Sequence, residues 1–182
     1  MTVLECVLAA ANEIGIGEEV LRYTQGEEGG ETTVKNLVRC FNLVENELAL
    51  DYLPLFVEDE FYSETGVIEF SMLTNSPIRI VKVRDAFGQD LNFTLFPSYL
   101  KTEVGRVSVR YSYVPKEKAL KDSSDFLLYA SVRLFAYGMA AEYFSACGLF
   151  EESAVWDRKY KAAIEAAYKK RPSRKIRSRR WI

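Results

Sequence analysis

The spacing of apolar residues along the chain switches from a helical period to an alternating one and back again. In residues 2–15, Val3, Cys6, Val7, Ala10 and Ile14 recur at three- and four-residue intervals, which predicts a helix ended by Gly15 and Gly17. Residues 18–22 add a short turn before a loop with three glycines at 24–30. That loop puts Glu27 and Glu28 where a phosphate would sit and lacks a Gly-Lys-Ser/Thr ending, so it reads as a helix connector. Thr32 or Thr33 caps a second helix running to about residue 51, with Val34, Leu37, Val38, Phe41, Val44 and Leu48 on one face and Pro54 as its stop.

Between 55 and 114 apolar and polar residues alternate, in runs at 67–70, 78–83, 91–95 and 106–113 separated by turn signals. About five short antiparallel strands are expected, in a small sheet with one wet face, and the 85–90 turn predicts a hairpin. Helical spacing returns after Pro115. Ser123 and Ser124 are the expected caps of a third helix, 126–147, apolar on nearly every side and stopped by Gly148. A fourth helix, 151–170, carries Trp156, Tyr160, Ile164 and Tyr168 with Ala154, Ala162, Ala163, Ala166 and Ala167, a small-residue face suited to close approach to the third. Pro172 ends it.

This order predicts an α+β fold. Two N-terminal and two C-terminal helices (1–54 and 116–171) form a four-helix bundle-like lobe, a small antiparallel β lobe (55–115) is inserted between the pairs, and an extended basic arm (172–182) follows.

Composition narrows the chemistry. The 182 residues include no His and three Cys. Ser-His and Cys-His nucleophiles, imidazole bases and mixed Cys/His zinc sites are therefore excluded. Cys6, Cys40 and Cys147 are too scattered for a disulfide framework and are expected as reduced, buried thiols. No catalytic residue, metal site or cofactor is assigned. Glu58, Asp59 and Glu60 are consecutive, so a strand would point them to opposite faces rather than pair them for acid-base work. The window 126–150 is apolar but contains Arg133 and Glu142, each costing about 2.5–3.5 kcal/mol near a bilayer centre, so it reads as a buried soluble helix. Residues 1–19 have no basic leader and contain Glu5, unlike a signal peptide, and no membrane association is expected.

The net charge of −2 conceals two poles. Residues 169–182 hold eight of the 24 bases and no acid, which leaves 16 bases against 26 acids in 1–168, a body of net −10. Residues 40–77 hold eight acids and no base. Glu45, Glu47, Asp51, Glu58, Asp59 and Glu60 are accordingly the candidate acidic face, for subunit contact or a channel lining. Arg171, Arg174, Lys175, Arg177, Arg179, Arg180, Trp181 and Ile182 form a candidate docking arm, in which apolar anchors accompany arginines that can pair with carboxylates or phosphates. The same residues suit a nucleic-acid arm, using counterion release and stacking by Trp181, though a body of net −10 would repel the phosphate backbone. An unstructured basic tail with no defined partner, or a carboxylate-dependent enzyme, are the remaining alternatives.

The layout resembles the head-to-tail connector, or adaptor, proteins of tailed bacteriophages, of the tubular tail protein A and portal-adaptor type. The resemblance lies in organisation across nearly the whole chain. It comprises a short first helix, a Gly/Glu loop, a second helix of the kind Val34-Lys35-Asn36-Leu37-Val38-Arg39, a β lobe, helices containing Ala130-Ser131-Val132-Arg133-Leu134 and Ser153-Ala154-Val155-Trp156-Asp157, and the basic arm. It implies a non-enzymatic virion protein made in the host bacterial cytoplasm and located at the portal-tail junction. Such proteins form a ring, commonly of twelve copies, beneath the portal protein. The ring extends the channel through which viral DNA passes without sequence-specific contact, and presents a surface to the next tail or stopper component. Residues 171–182 would then reach onto the portal.

Overall fold

The Thr2 hydroxyl accepts the Glu5 N–H while the Glu5 carboxylate accepts the Thr2 N–H at 2.7 Å, a reciprocal capping box that starts α1 (Val3–Glu13). The Thr2 backbone donor holds the Glu5 carboxyl below its ordinary pKa. The computed structural model describes residues 1–128 and 130–169, and its fold is mixed α+β. Among the described residues there are five α-helices and two small antiparallel sheets. The chain divides into two compact units, Met1–Phe41 with the segment from Leu120 onward, and Asn42–Ala119.

In the first unit, α2 (Gly17–Thr24) is a full helix where only a turn was expected. α3 (Glu31–Glu47) begins before Thr32 and Thr33; the Thr33 hydroxyl donates to Glu19 Oε1 at 2.8 Å. α4 spans Val132–Ala146 and α5 Phe150–Lys169. The expected start of α4 near residue 126 is corrected to Val132. Ser124 Oγ accepts the Phe126 N–H, closing a two-residue turn, and the helix cap is Ser131, whose Oγ accepts the Leu134 N–H. Gly148 does end α4 in a left-handed conformation, φ 76°. Its N–H reaches the Ser145 carbonyl and the Leu149 N–H reaches the Phe144 carbonyl, a Schellman closure.

α1 packs on α4, and α4 on α5. Eight consecutive α4 residues, Leu134 to Ala141, are buried, as the all-round apolar pattern predicted. Phe135 anchors this core, stacking on Phe41 with centroids 4.9 Å apart and meeting Phe126 at 6.1 Å. Residues near the N-terminus pair with the segment before α4 through a Thr2–Ser123 bridge.

In the second unit, the last turns of α3 pass into a π-helical turn, Leu48–Tyr52, so the regular helix stops four residues short of its expected end. A four-stranded sheet follows in the order β1 (Leu55–Ser63), β7 (Gly105–Tyr113), β3 (Pro77–Asp85), β4 (Asp90–Leu91). A three-stranded sheet has the order β2 (Val67–Glu69), β6 (Tyr99–Lys101), β5 (Thr94–Leu95). β3 and β4 form the expected hairpin, with Val83 opposite Leu91. Register shifts in β3 between Pro77 and Arg79 and between Ile80 and Lys82 put Ile80 and Val83 into the core, while Ile78 and Val81 stay exposed. Ile68, Leu73, Leu100, Val107, Val109 and Tyr111 complete that core.

Candidate interaction surfaces

β1 separates the acidic run as strand geometry requires. Glu58 and Glu60 lie on the exposed face with Phe56 and Tyr62, and Asp59 points the other way. On the exposed face Glu60 pairs with Arg106 at 2.7 Å and Glu58 with Arg84 at 3.9 Å, and the Ser108 hydroxyl donates to Glu58. Arg84 and Lys82 both bind Asp90, at 3.1 and 2.7 Å. These two bases hold the Asp90 carboxyl below its ordinary pKa, the hydrogen bond from Lys82 contributing the most. Arg110 lies over the Phe56 ring at 5.4 Å. Glu58, Glu60 and Asp90 thus face Lys82, Arg84, Arg106 and Arg110, and the sheet presents a mixed-charge surface rather than an acidic one. Such exposed pairs contribute little stability.

Asp59 is occupied structurally. Its Oδ2 accepts the Tyr111 hydroxyl at 2.7 Å and the Thr74 N–H at 2.8 Å, and the Asn75 N–H donates to the Tyr111 oxygen at 3.1 Å. This cluster fixes the loop that leads into β3. Of the other candidate acids, Glu45 is buried at 1% exposure, Glu47 is half-buried and Asp51 is exposed. The expectation of one acidic face over these six residues is corrected accordingly. Alternation in β1 turns Asp59 inward, helix phase buries Glu45, and cross-strand bases neutralise Glu58 and Glu60. The bases come from 82–110, outside the segment whose composition suggested the face.

The docking-arm residues Arg171, Arg174, Lys175, Arg177, Arg179, Arg180, Trp181 and Ile182 lie outside the described residues. Cys6 and Cys40 are buried as expected, and burial pushes the Cys40 thiol up to about 11. Cys147 is exposed, contrary to expectation, because it occupies the C-cap before Gly148 rather than a core turn.

A surface that sequence reading did not single out lies between α4 and α5. The expected alanine face of α5 is only partly covered: Ala167 is buried, whereas Ala162 and Ala166 are exposed and line a groove of about 470 Å³ with Arg133, Tyr137 and Lys159. The Arg133 guanidinium lies 5.2 Å from the Tyr137 centroid, and its Nε donates to the Tyr137 hydroxyl at 2.5 Å. The Lys159 ammonium lies 3.7 Å from the Trp156 centroid and 5.6 Å from that of Tyr137. Trp156 and Tyr137 themselves meet at 5.6 Å. Two cations therefore converge on one aromatic pair. The signal was present in the spacing of Arg133 with Tyr137 and Trp156 with Lys159, four and three residues apart on their helices.

Among the described residues no group of three or more His, Cys, Asp or Glu side chains is placed to hold a metal ion, and no helix is long and apolar enough to cross a membrane. The sequence matches no family model, and no curated protein matches it.

Proposed function

We propose that this chain is a structural virion protein of a tailed bacteriophage, a head-to-tail connector that forms a ring beneath the portal, extends the DNA channel and joins it to the tail. In this reading four of the helices, α1, α3, α4 and α5, form one bundle-like lobe that builds the ring wall. The β lobe faces the next tail or stopper component, and residues 171–182 dock on the portal protein. The ring has about twelve copies, as the resemblance implies, and the protein is not an enzyme.

The observation that carries this reading is the division of charge, eight bases in 169–182 together with Trp181 and Ile182 against a body of net −10. Opposed poles on one chain are suited to joining copies and neighbours. Exposed apolar side chains add support. Phe87, Leu127, Leu128 and Phe150 are 70–88% exposed, which suits a surface completed by assembly.

The test is deletion of residues 169–182. The truncated chain is expected to fold, with an unchanged circular dichroism spectrum, and to be lost from portal complexes in co-sedimentation. Normal incorporation would refute the docking role. The eight bases and Trp181 also favour a second reading, a nucleic-acid-binding protein. Its mark would be DNA affinity that falls steeply with salt and disappears with the same deletion.

A further inference from the structure

The α4–α5 hairpin carries complementary features at its two ends. At the turn, Leu149 and Phe150 are 45% and 70% exposed and are followed at once by exposed Glu151 and Glu152. The Schellman closure at Gly148 and the Ser153 hydroxyl, which donates to the Ala141 carbonyl at 2.9 Å, hold this knob rigidly on the end of the hairpin. Toward the other end lies the groove between Arg133, Tyr137, Lys159 and the exposed alanines. Its floor is apolar and its rim is cationic. Among the described residues, Arg133 and Lys159 have no carboxylate within 4 Å, and Glu151 and Glu152 have no base within that distance. Each cation rests on an aromatic face, which leaves its outer side open to an incoming anion.

We propose that the groove of one copy receives the Phe150 knob of a second copy, with Glu151 and Glu152 pairing with Arg133 and Lys159. Shape, polarity and charge agree: an aromatic ring fits the alanine floor, and two carboxylates meet two cations. The occupant is not the copy's own knob, since Tyr137 and Ala146 are nine residues apart on α4, about 13 Å along a stiff helix. Nor is it the 169–182 segment, whose eight bases carry the wrong sign for a cationic rim. Because knob and groove are different surfaces, the contact is head-to-tail and propagates from copy to copy, closing into a ring or continuing as a filament. The inference rests on the connector reading for closure into a ring, while the contact itself follows from the hairpin.

Two full-length variants test it by sedimentation velocity. One reverses the knob (Glu151→Arg with Glu152→Arg) and the other the rim (Arg133→Glu with Lys159→Glu). The wild type is expected to self-associate, and each variant alone to do so at least about tenfold more weakly. An equimolar mixture should associate again, because each knob then meets a groove of opposite sign, and such rescue also shows that both variants are folded. Variants that associate like the wild type would overturn the contact and leave the ring reading standing. Variants that stay monomeric when mixed would overturn the head-to-tail pairing. A wild type that is monomeric at its highest soluble concentration would also overturn the contact, and the ring would then be decided by particles alone.

Discussion

Tyr111 and Asp59 show how one side-chain pair turns a surface-like acidic run into a structural joint. Tyr111 is fully buried at the centre of β7, and burial first, then its hydrogen bond to Asp59, pushes its phenol from 10.0 up to about 12. Between those values the folded chain keeps a proton that the unfolded chain has lost, so the contribution of Tyr111 to stability is whole below pH 10 and is lost as pH rises through about 12. Tyr111→Phe should therefore lower stability at neutral pH by about 1–3 kcal/mol, since Asp59 loses a donor. It should also flatten the fall in stability above pH 10 relative to the parent, read as urea midpoints across pH. An equally steep alkaline fall in the variant would contradict this account. That Asp59 faces away from Glu58 and Glu60 was legible in the sequence, because alternation in a strand follows from backbone geometry. Its partner was not, because Tyr111 lies 52 residues away and is brought close only by the pairing of β1 with β7.

At the level of elements, Gly66 and Gly148 separate two kinds of glycine. Both have positive φ, 73° and 76°. A Cβ on Gly66 would lie 2.3 Å from the Thr102 carbonyl oxygen, whereas one on Gly148 would meet nothing within 4 Å. Gly148→Ala should cost about 1 kcal/mol, the left-handed penalty alone. Gly66→Ala should cost about 3 kcal/mol, because the backbone joining β2 to β6 must also shift. Equal urea midpoints for the two variants would contradict this distinction. The helices were legible where apolar spacing and a stop signal agreed, as in α1 and at Gly148. They were misread where apolar residues ran on without punctuation. The run from Phe126 through Leu134 looks helical throughout, yet Ser124 caps only a local turn and Ser131 caps the helix. The extra phase of β3 was equally hidden, since a bulge changes the register without changing the residues. The alanine face of α5 was read correctly as a close-packing surface only in part: helix phase turns Ala163 and Ala167 inward and leaves Ala154, Ala162 and Ala166 exposed.

For the whole molecule, the described residues divide into a helical and a β unit and carry a mixed-charge sheet face, a cationic groove and exposed apolar side chains. The net charge of −2 would suggest an even surface, but its parts are distributed among an acidic body, a mixed-charge sheet and a basic segment. The claim that joins these observations is that many copies assemble at the portal-tail junction. Electron microscopy of tailed particles containing this chain tests it most directly. The account predicts a closed ring of this chain beneath the portal, with its basic segment against the portal protein; particles in which the chain is absent from that junction, or present there as a single copy, would contradict it.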